Sequence, residues 1–172
     1  MTLLSPDEIE ISKLDAAQMQ LERAIKLFVD GDDYVSALTL AGAANELLGG
    51  AIEAKGWRPS RNKMLDAYPN ILALSTGKPP PVMTEKEIGT IINEARNWLK
   101  HYNDGEPILM NPENEAHFLI SQAIDNYFRL KEKCEKWMGP FAPILNKKGS
   151  PLQGNMLMRI KGVPLDEEQE KD

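Results

Sequence analysis

Apolar positions recur along this chain at spacings of three and four residues, the period of an α-helix that buries one face. Leu14, Ala17, Leu21, Ile25 and Phe28 mark a first helix over about 14–29. Asp30-Gly31 stops it, because glycine accepts the left-handed conformation that closes a helix, and Asp32 is read as the N-cap of the next. Over about 33–55, Ala37, Leu38, Leu40, Ala41, Ala44, Leu47, Leu48, Ala51 and Ile52 cover half the helical circumference. An arc that wide predicts several packed neighbours, so this second helix is expected to be the most buried. Its small residues, in "LAGAANELLGGA", predict that those neighbours approach closely.

The next stretch is less regular. A third helix is expected from Ser60, ending or kinking before Pro69, because proline lacks an N–H and disfavours a helical residue before it. The triple proline at 79–81 reads as a stiff connection. Thr84 and Glu87 form a capping-box signature for a fourth helix over 84–102, with Ile88, Ile91, Ile92, Ala95, Leu99 and Tyr102 on one stripe and Asn103-Asp104-Gly105 after it. Asn111-Pro112 opens a fifth, to about Met138, with Ala116, Ile120, Ala123, Tyr127, Leu130, Cys134 and Trp137 inward. No segment reads convincingly as a strand. The expectation is an all-α protein, an antiparallel four- to five-helix bundle over residues 1–138. Residues 139–172 are expected to form an arm, packed through Phe141, Ile144 and Leu145, and an acidic tail ending "LDEEQEKD".

Length and composition fit that picture. At 172 residues, 42% hydrophobic and 27% charged, the chain is read as one globular domain with tails. No run approaches the roughly 20 apolar residues that cross a bilayer, and "MTLLSPDEIEIS" has no basic start or apolar stretch of a signal peptide. Cys134 is the one cysteine, which excludes an internal disulfide and a cysteine zinc site. A cytoplasmic address and no membrane partner are expected. A net charge of −6 argues against a general positive field for coating nucleic acid, but leaves a local phosphate site open.

Few residue patterns carry chemistry. Paired Glu-x-x-His ligands are missing, since Asn114 stands three before His117 and Trp98 three before His101. Asp30, Asp32 and Asp33 lack the alternating ligands of a calcium hand, and "AGAANELLGG" lies mid-helix, where small residues serve packing. No metal and no cofactor are therefore expected. Cys134, on the inward stripe, reads as an inert core thiol, and His117 as a half-buried structural imidazole. Arg58, Arg61 and Lys63 cluster in the irregular stretch and read as a solvated loop. Arg96 falls on the flank of the fourth helix's apolar stripe and His101 nearly opposite it, diverging by about 140° in a continuous helix. The two converge only if the helix ends or loosens near Lys100.

Arg96-Asn97 followed by His101, late in the penultimate long helix of a small bundle, resembles the HEPN superfamily (higher eukaryotes and prokaryotes nucleotide-binding). That family's pattern is an arginine, commonly an adjacent polar residue, and a histidine after four to six intervening positions. The alanine-rich second helix is also similar to that of such domains, and the likeness in architecture spans about residues 14–138. One subgroup has a tyrosine two positions after the histidine, where Asn103 stands here. The resemblance implies a metal-independent endoribonuclease of toxin–antitoxin, phage-defence or stress type, active as a homodimer with both motifs lining one cleft. Its catalytic residues are then Arg96 and His101, its substrate-binding residues Asn97 and Tyr102, and its partners RNA or a nucleotide, a second copy and an antitoxin protein. The other reading is a non-catalytic helical dimerisation or nucleotide/RNA-binding module.

Overall fold

In the computed structural model, which describes residues 9–31, 33–101 and 105–145, three of the long helices begin at a side-chain cap. Ser12 accepts from the Asp15 N–H at 3.1 Å to open α1 (Lys13–Asp30), and Gly31, at φ 69°, closes it. Asp33 accepts from the Ser36 N–H at 2.9 Å to open α2 (Tyr34–Ala54). The expected cap, Asp32, lies outside the described residues. Asn111 caps α6 (Pro112–Lys131), with proline in its first turn, where a missing N–H costs no helical bond.

These three helices enclose the main core. Leu21 and Ile25 of α1, Leu38, Ala41 and Leu48 of α2, and Ile120, Ala123 and Tyr127 of α6 are almost fully excluded from solvent. The expectation that α2 would be most buried is corrected: nine residues of α6 are buried against eight of α2. α6 is enclosed on its polar side as well, where Glu115, Gln122 and Asn126 are covered by other helices. α2, at 21 residues and mean hydropathy 1.3, is long and apolar enough to cross a bilayer by composition, although it read as too short an apolar run. Its apolar face is taken up by α1 and α6.

The directions of the helices also differ from the antiparallel bundle expected. Phe28 at the end of α1 stacks near His117 at the start of α6, and Gln18 at the start of α1 bonds Tyr127 near the end, so α1 opposes α6. α2 and α6 run parallel: Gly42 faces Leu119, Asn45 bonds Gln122, and Ser60, just past α2, bonds Asn126. Three intervening helices return the chain to the level at which α2 began, which a short hairpin connection cannot do.

The first two of those intervening helices form a second, smaller core. α3 (Ser60–Thr76) runs straight through Pro69 rather than stopping there. Proline removes one backbone hydrogen bond, but Met64, Leu65 and Tyr68 before it and Ile71 and Leu72 after it all pack into one cluster with Ile88 and Ile92. Packing on both sides of the proline holds the helix together. Its N-terminus has no local side-chain cap; Asn126 of α6 accepts from the Ser60 N–H at 2.9 Å instead.

The single fourth helix expected over 84–102 is two helices, α4 (Glu85–Ile92) and α5 (Glu94–Lys100). The Thr84–Glu87 capping box opens α4 as expected. Asn93 divides the pair at φ −106°, ψ 6°, its side-chain amide donating to the Gly89 carbonyl at 2.7 Å and competing for a helical acceptor. The break lets Ile88 and Ile92 face the small core while Ala95, fully buried, faces the main one.

The helix expected to reach Met138, α6, ends at Lys131, with Glu132 in the left-handed conformation at φ 55°. Cys134 is therefore exposed, which corrects its placement in the core. A 3-10 helix (Lys136–Phe141) and α7 (Ala142–Leu145) fold back over α1. The boundary expected at residue 138 falls inside that 3-10 helix, and Phe141 is fully buried in the main core. Ile144 packs against it partly buried, Leu145 is exposed, and the acidic tail lies outside the described residues.

His117 is wholly buried rather than half-buried, between Phe28 and Phe141 with ring centroids 6.1 and 5.3 Å away. Burial pushes its pKa down, against the opposing pull of a hydrogen bond to the Ile144 backbone and of the Glu113 carboxylate. The unfolded chain, with an ordinary imidazole near pH 6.5, thus takes up the proton first. The ring's contribution to stability is complete above about pH 6.5 and is lost as pH falls towards the depressed folded value, by at most about 1.4 kcal/mol per pH unit. Urea unfolding of the parent chain and of His117→Gln across this window is expected to show the steeper loss in the parent. Equal slopes would remove His117 as the source.

Candidate nucleic-acid site on the fifth helix

Gly42, in the small-residue run of α2, seats the one arginine that the sequence singled out. A Cβ there would meet Arg96 Cγ at 3.0 Å and Cδ at 3.1 Å, so the arginine's aliphatic stem lies directly on the bare helix backbone. The small residues of α2 do permit close packing, as expected, and this is the close approach they permit. One turn on, Glu46 receives the charged end: its Oε1 lies 3.2 Å from Arg96 Nη1. The same carboxylate lies 3.2 Å from Lys100 Nζ, so one glutamate ties down both cations of α5.

The arginine is consequently held in one orientation by contacts within the chain. Its side chain is only 17% exposed. Nη2 donates to the Asn97 side-chain oxygen at 3.3 Å, while Nε is buried with no acceptor among the described residues. A buried N–H without an acceptor costs free energy, which leaves this guanidinium with unused donor capacity.

The structure brings Arg96 and Asn97 into contact. It places His101, exposed, at the C-cap of α5, where φ −126° and ψ 125° leave the helical register and the backbone N–H donates to the Asn97 carbonyl at 3.1 Å. Asn97 thus touches both neighbours, Arg96 through its side chain and His101 through its backbone. The helix ends at Lys100, the condition on which convergence of the pair depends. Tyr102, the fourth expected site residue, lies outside the described residues.

A cleft of about 110 Å³ opens beside Arg96. Its deepest lining is two buried amides, Asn45 and Asn126, joined at 2.9 Å, with Gln122 continuing the chain at 3.0 Å. Gly49, Gly50 and Pro59 form its sides and Arg61 its far rim. Arg58, Arg61 and Lys63 are not a free basic loop: they pair with Asp66 at 2.8 Å, Glu53 at 3.6 Å and Asp125 at 3.0 Å. Burial works to raise the Asp125 pKa, but the Ser60 hydroxyl, Lys63 and Arg129 together hold it below the usual carboxylate value.

Glu46, Lys100 and the amide pair were not read from the sequence. The available signal was the spacing Gly42, Glu46, Gly49, Glu53, a polar and glycine stripe inside an otherwise apolar helix. Among the described residues, no three of His, Cys, Asp and Glu converge as metal ligands. No protein family, curated protein or solved structure matches the chain.

The seat of Arg96 is open to a direct test. Gly42→Ala gains about 0.5–1 kcal/mol of helix propensity, which offsets a contact relieved by a flexible side chain. Gly42→Leu is expected to displace the arginine and cost about 1–3 kcal/mol through overpacking. Chemical denaturation measures both, and a leucine variant as stable as the alanine one would show that Arg96 is not seated there.

Proposed function

We propose that this chain is a HEPN-like, metal-independent endoribonuclease whose active site is completed at a homodimer interface. The observation that carries the reading is Arg96: a half-buried guanidinium, oriented by Glu46 and Asn97, five residues before an exposed histidine at the C-cap of the same helix. A guanidinium matches a phosphate through paired charge-assisted hydrogen bonds, and imidazole exchanges protons near neutral pH.

In this reading, His101 of one protomer removes the proton from a ribose 2′-hydroxyl as its oxygen attacks the adjacent phosphorus. His101 of the partner subunit protonates the departing 5′-oxygen, and Arg96 stabilises the charge gathered on the phosphorane. The P–O5′ bond breaks, giving a 2′,3′-cyclic phosphate and a 5′-hydroxyl. Each protomer offers one histidine at this position, which is the chemical reason for two subunits. Toxin–antitoxin, phage-defence and stress systems in the cytoplasm are the settings such an activity suits, and an antitoxin protein is its natural regulator.

Glu46 favours the second reading, a helical dimerisation or nucleotide-binding module without catalysis. Its carboxylate already neutralises Arg96 and Lys100, and a structural ion pair needs nothing more. The two readings separate in one assay. The purified dimer is expected to cleave single-stranded RNA in the presence of a chelator and to leave 2′,3′-cyclic ends. His101→Ala should abolish cleavage with an unchanged melting temperature, and Arg96→Ala should lose about 3 kcal/mol of transition-state stabilisation, roughly 100-fold in rate. Inactivity of a normal dimer on every RNA would favour the module, and a monomer by light scattering at micromolar concentration would count against the composite site.

A further inference from the structure

Arg96 has a counterpart at the other end of the cleft. Glu46 and Glu53 stand seven residues apart on α2, two helical turns or roughly 10 Å along one face. Each meets an arginine from a different helix, Glu46 with Arg96 of α5 and Glu53 with Arg61 of α3. Gly49 and Gly50 fall between them on the same stripe. A Cβ on Gly50 would meet nothing within 4 Å, and one on Gly49 would reach only Pro59 at 3.7 Å. The space between the two guanidiniums is thus open because two consecutive residues of α2 carry no side chain.

The two ion pairs differ in tightness. Arg61 stands 3.6 Å from Glu53, beyond hydrogen-bond distance, and its side chain is 45% exposed. That leaves its donors available to a better-matched acceptor. Beneath them lie the buried amide groups of Asn45 and Asn126, whose nitrogens donate to Gln122 and to Asn45 and so form a fixed polar floor. The lining thus sets two guanidiniums against two carboxylates: the Glu46 oxygens are occupied by Arg96 and Lys100, and Glu53 holds Arg61 only loosely. Such a cleft suits a tetrahedral oxyanion, and guanidinium is the cation best matched to phosphate. Two guanidiniums held two turns apart also suit two phosphates of one strand better than a single phosphate.

We propose that this cleft is a second phosphate subsite, in which Arg61 holds the phosphate next to the scissile one along a single-stranded RNA. The inference rests on the reading of Arg96 as the arginine at the scissile phosphate. It makes Arg61 a substrate-binding residue outside the chemistry, and it assigns Gly49 and Gly50 the task of keeping the strand's path clear.

The test uses the full chain carrying His101→Ala, so that binding is measured without cleavage. A fluorescein-labelled single-stranded oligoribonucleotide is titrated by anisotropy at several salt concentrations between about 50 and 200 mM, where phosphate contacts show their salt dependence. Adding Arg61→Ala is expected to weaken binding several-fold and to reduce the salt slope by about 0.7, the value of one single-strand phosphate contact. Arg61→Lys should restore the slope but only part of the affinity, since charge returns without the paired donors. Gly50→Leu, which fills the cleft with no change of charge, should weaken binding and leave the melting temperature close to that of the parent.

In the chain with His101 intact, Arg61→Ala should raise KM and spare kcat, and should erase any preference for a trinucleotide over a dinucleotide, which has no second phosphodiester. If Arg96→Ala weakens binding while Arg61→Ala and Gly50→Leu do not, the subsite is overturned and the role of Arg96 stands. If neither arginine affects binding, both fall. Weakened binding in both Arg61→Ala and Arg96→Ala, from a parent chain that cleaves no RNA, overturns the cleavage reading and leaves Arg61 a phosphate contact in binding alone.

Discussion

Asn126 is the point at which three helices are held in register. Its side-chain nitrogen donates to Asn45 of α2, and its oxygen accepts the first N–H of α3. Asn45 in turn donates to Gln122, one turn earlier on α6. Apolar faces of α2 and α6 could slide past one another by a turn at modest cost, because methyl groups accept many neighbours. A buried amide does not tolerate that slip, since each unpaired group left behind costs about 1–3 kcal/mol. The amide chain therefore selects one alignment of α2 with α6, the parallel one, and the same oxygen fixes where α3 begins. Without that bond, Pro59 leaves the N-terminus of α3 with no side-chain cap of its own.

From that alignment the candidate site follows. With α2 and α6 in register, the stripe Gly42, Glu46, Gly49 and Gly50, and Glu53 faces outward beside them, available to the segments that return over it. α5 settles on the first half through Arg96 and Lys100, and α3 brings Arg61 to the second. The arrangement sets two electrostatic demands against each other. A half-buried guanidinium needs a negative partner, and the partner that orients it also competes with any anion that would bind it. Arg96 keeps Nε without an acceptor even so, which marks it as incompletely satisfied by the protein alone.

The C-terminal elements close the opposite side. Phe141 and His117 form an aromatic cluster with Phe28, and Trp137 lies edge-on to Tyr127 at 5.4 Å. A buried imidazole serves there as an aromatic filler with polar edges, and the main core draws on both ends of the described chain, from α1 to α7. The smaller core of α3 and α4 joins it through Asn126 and through the step at Asn93, which turns the helical stripe from one core to the other.

The sequence by itself determined the helices and their apolar faces, because a period of 3.6 and a capping residue are local facts that a short window contains. It also singled out Arg96, Asn97 and His101 and showed that the pair could converge only if the helix stopped near Lys100, as it does. What a window cannot contain is a partner distant in the chain. The passage of α3 through Pro69, the break at Asn93 and the exposure of Cys134 each turned on which core the flanking residues found. The parallel course of α2 and α6 turned on the path of the segment between them. The site shows the same division: Arg96 was legible as a residue type in a pattern, but Gly42 beneath it and Glu46 beside it became part of the site only when α5 folded back onto α2. Tertiary contact decided these features because their free energy lies in pairings between residues distant in the chain, 54 to 81 positions apart at the candidate site and in the amide chain, and no local preference encodes such a pairing.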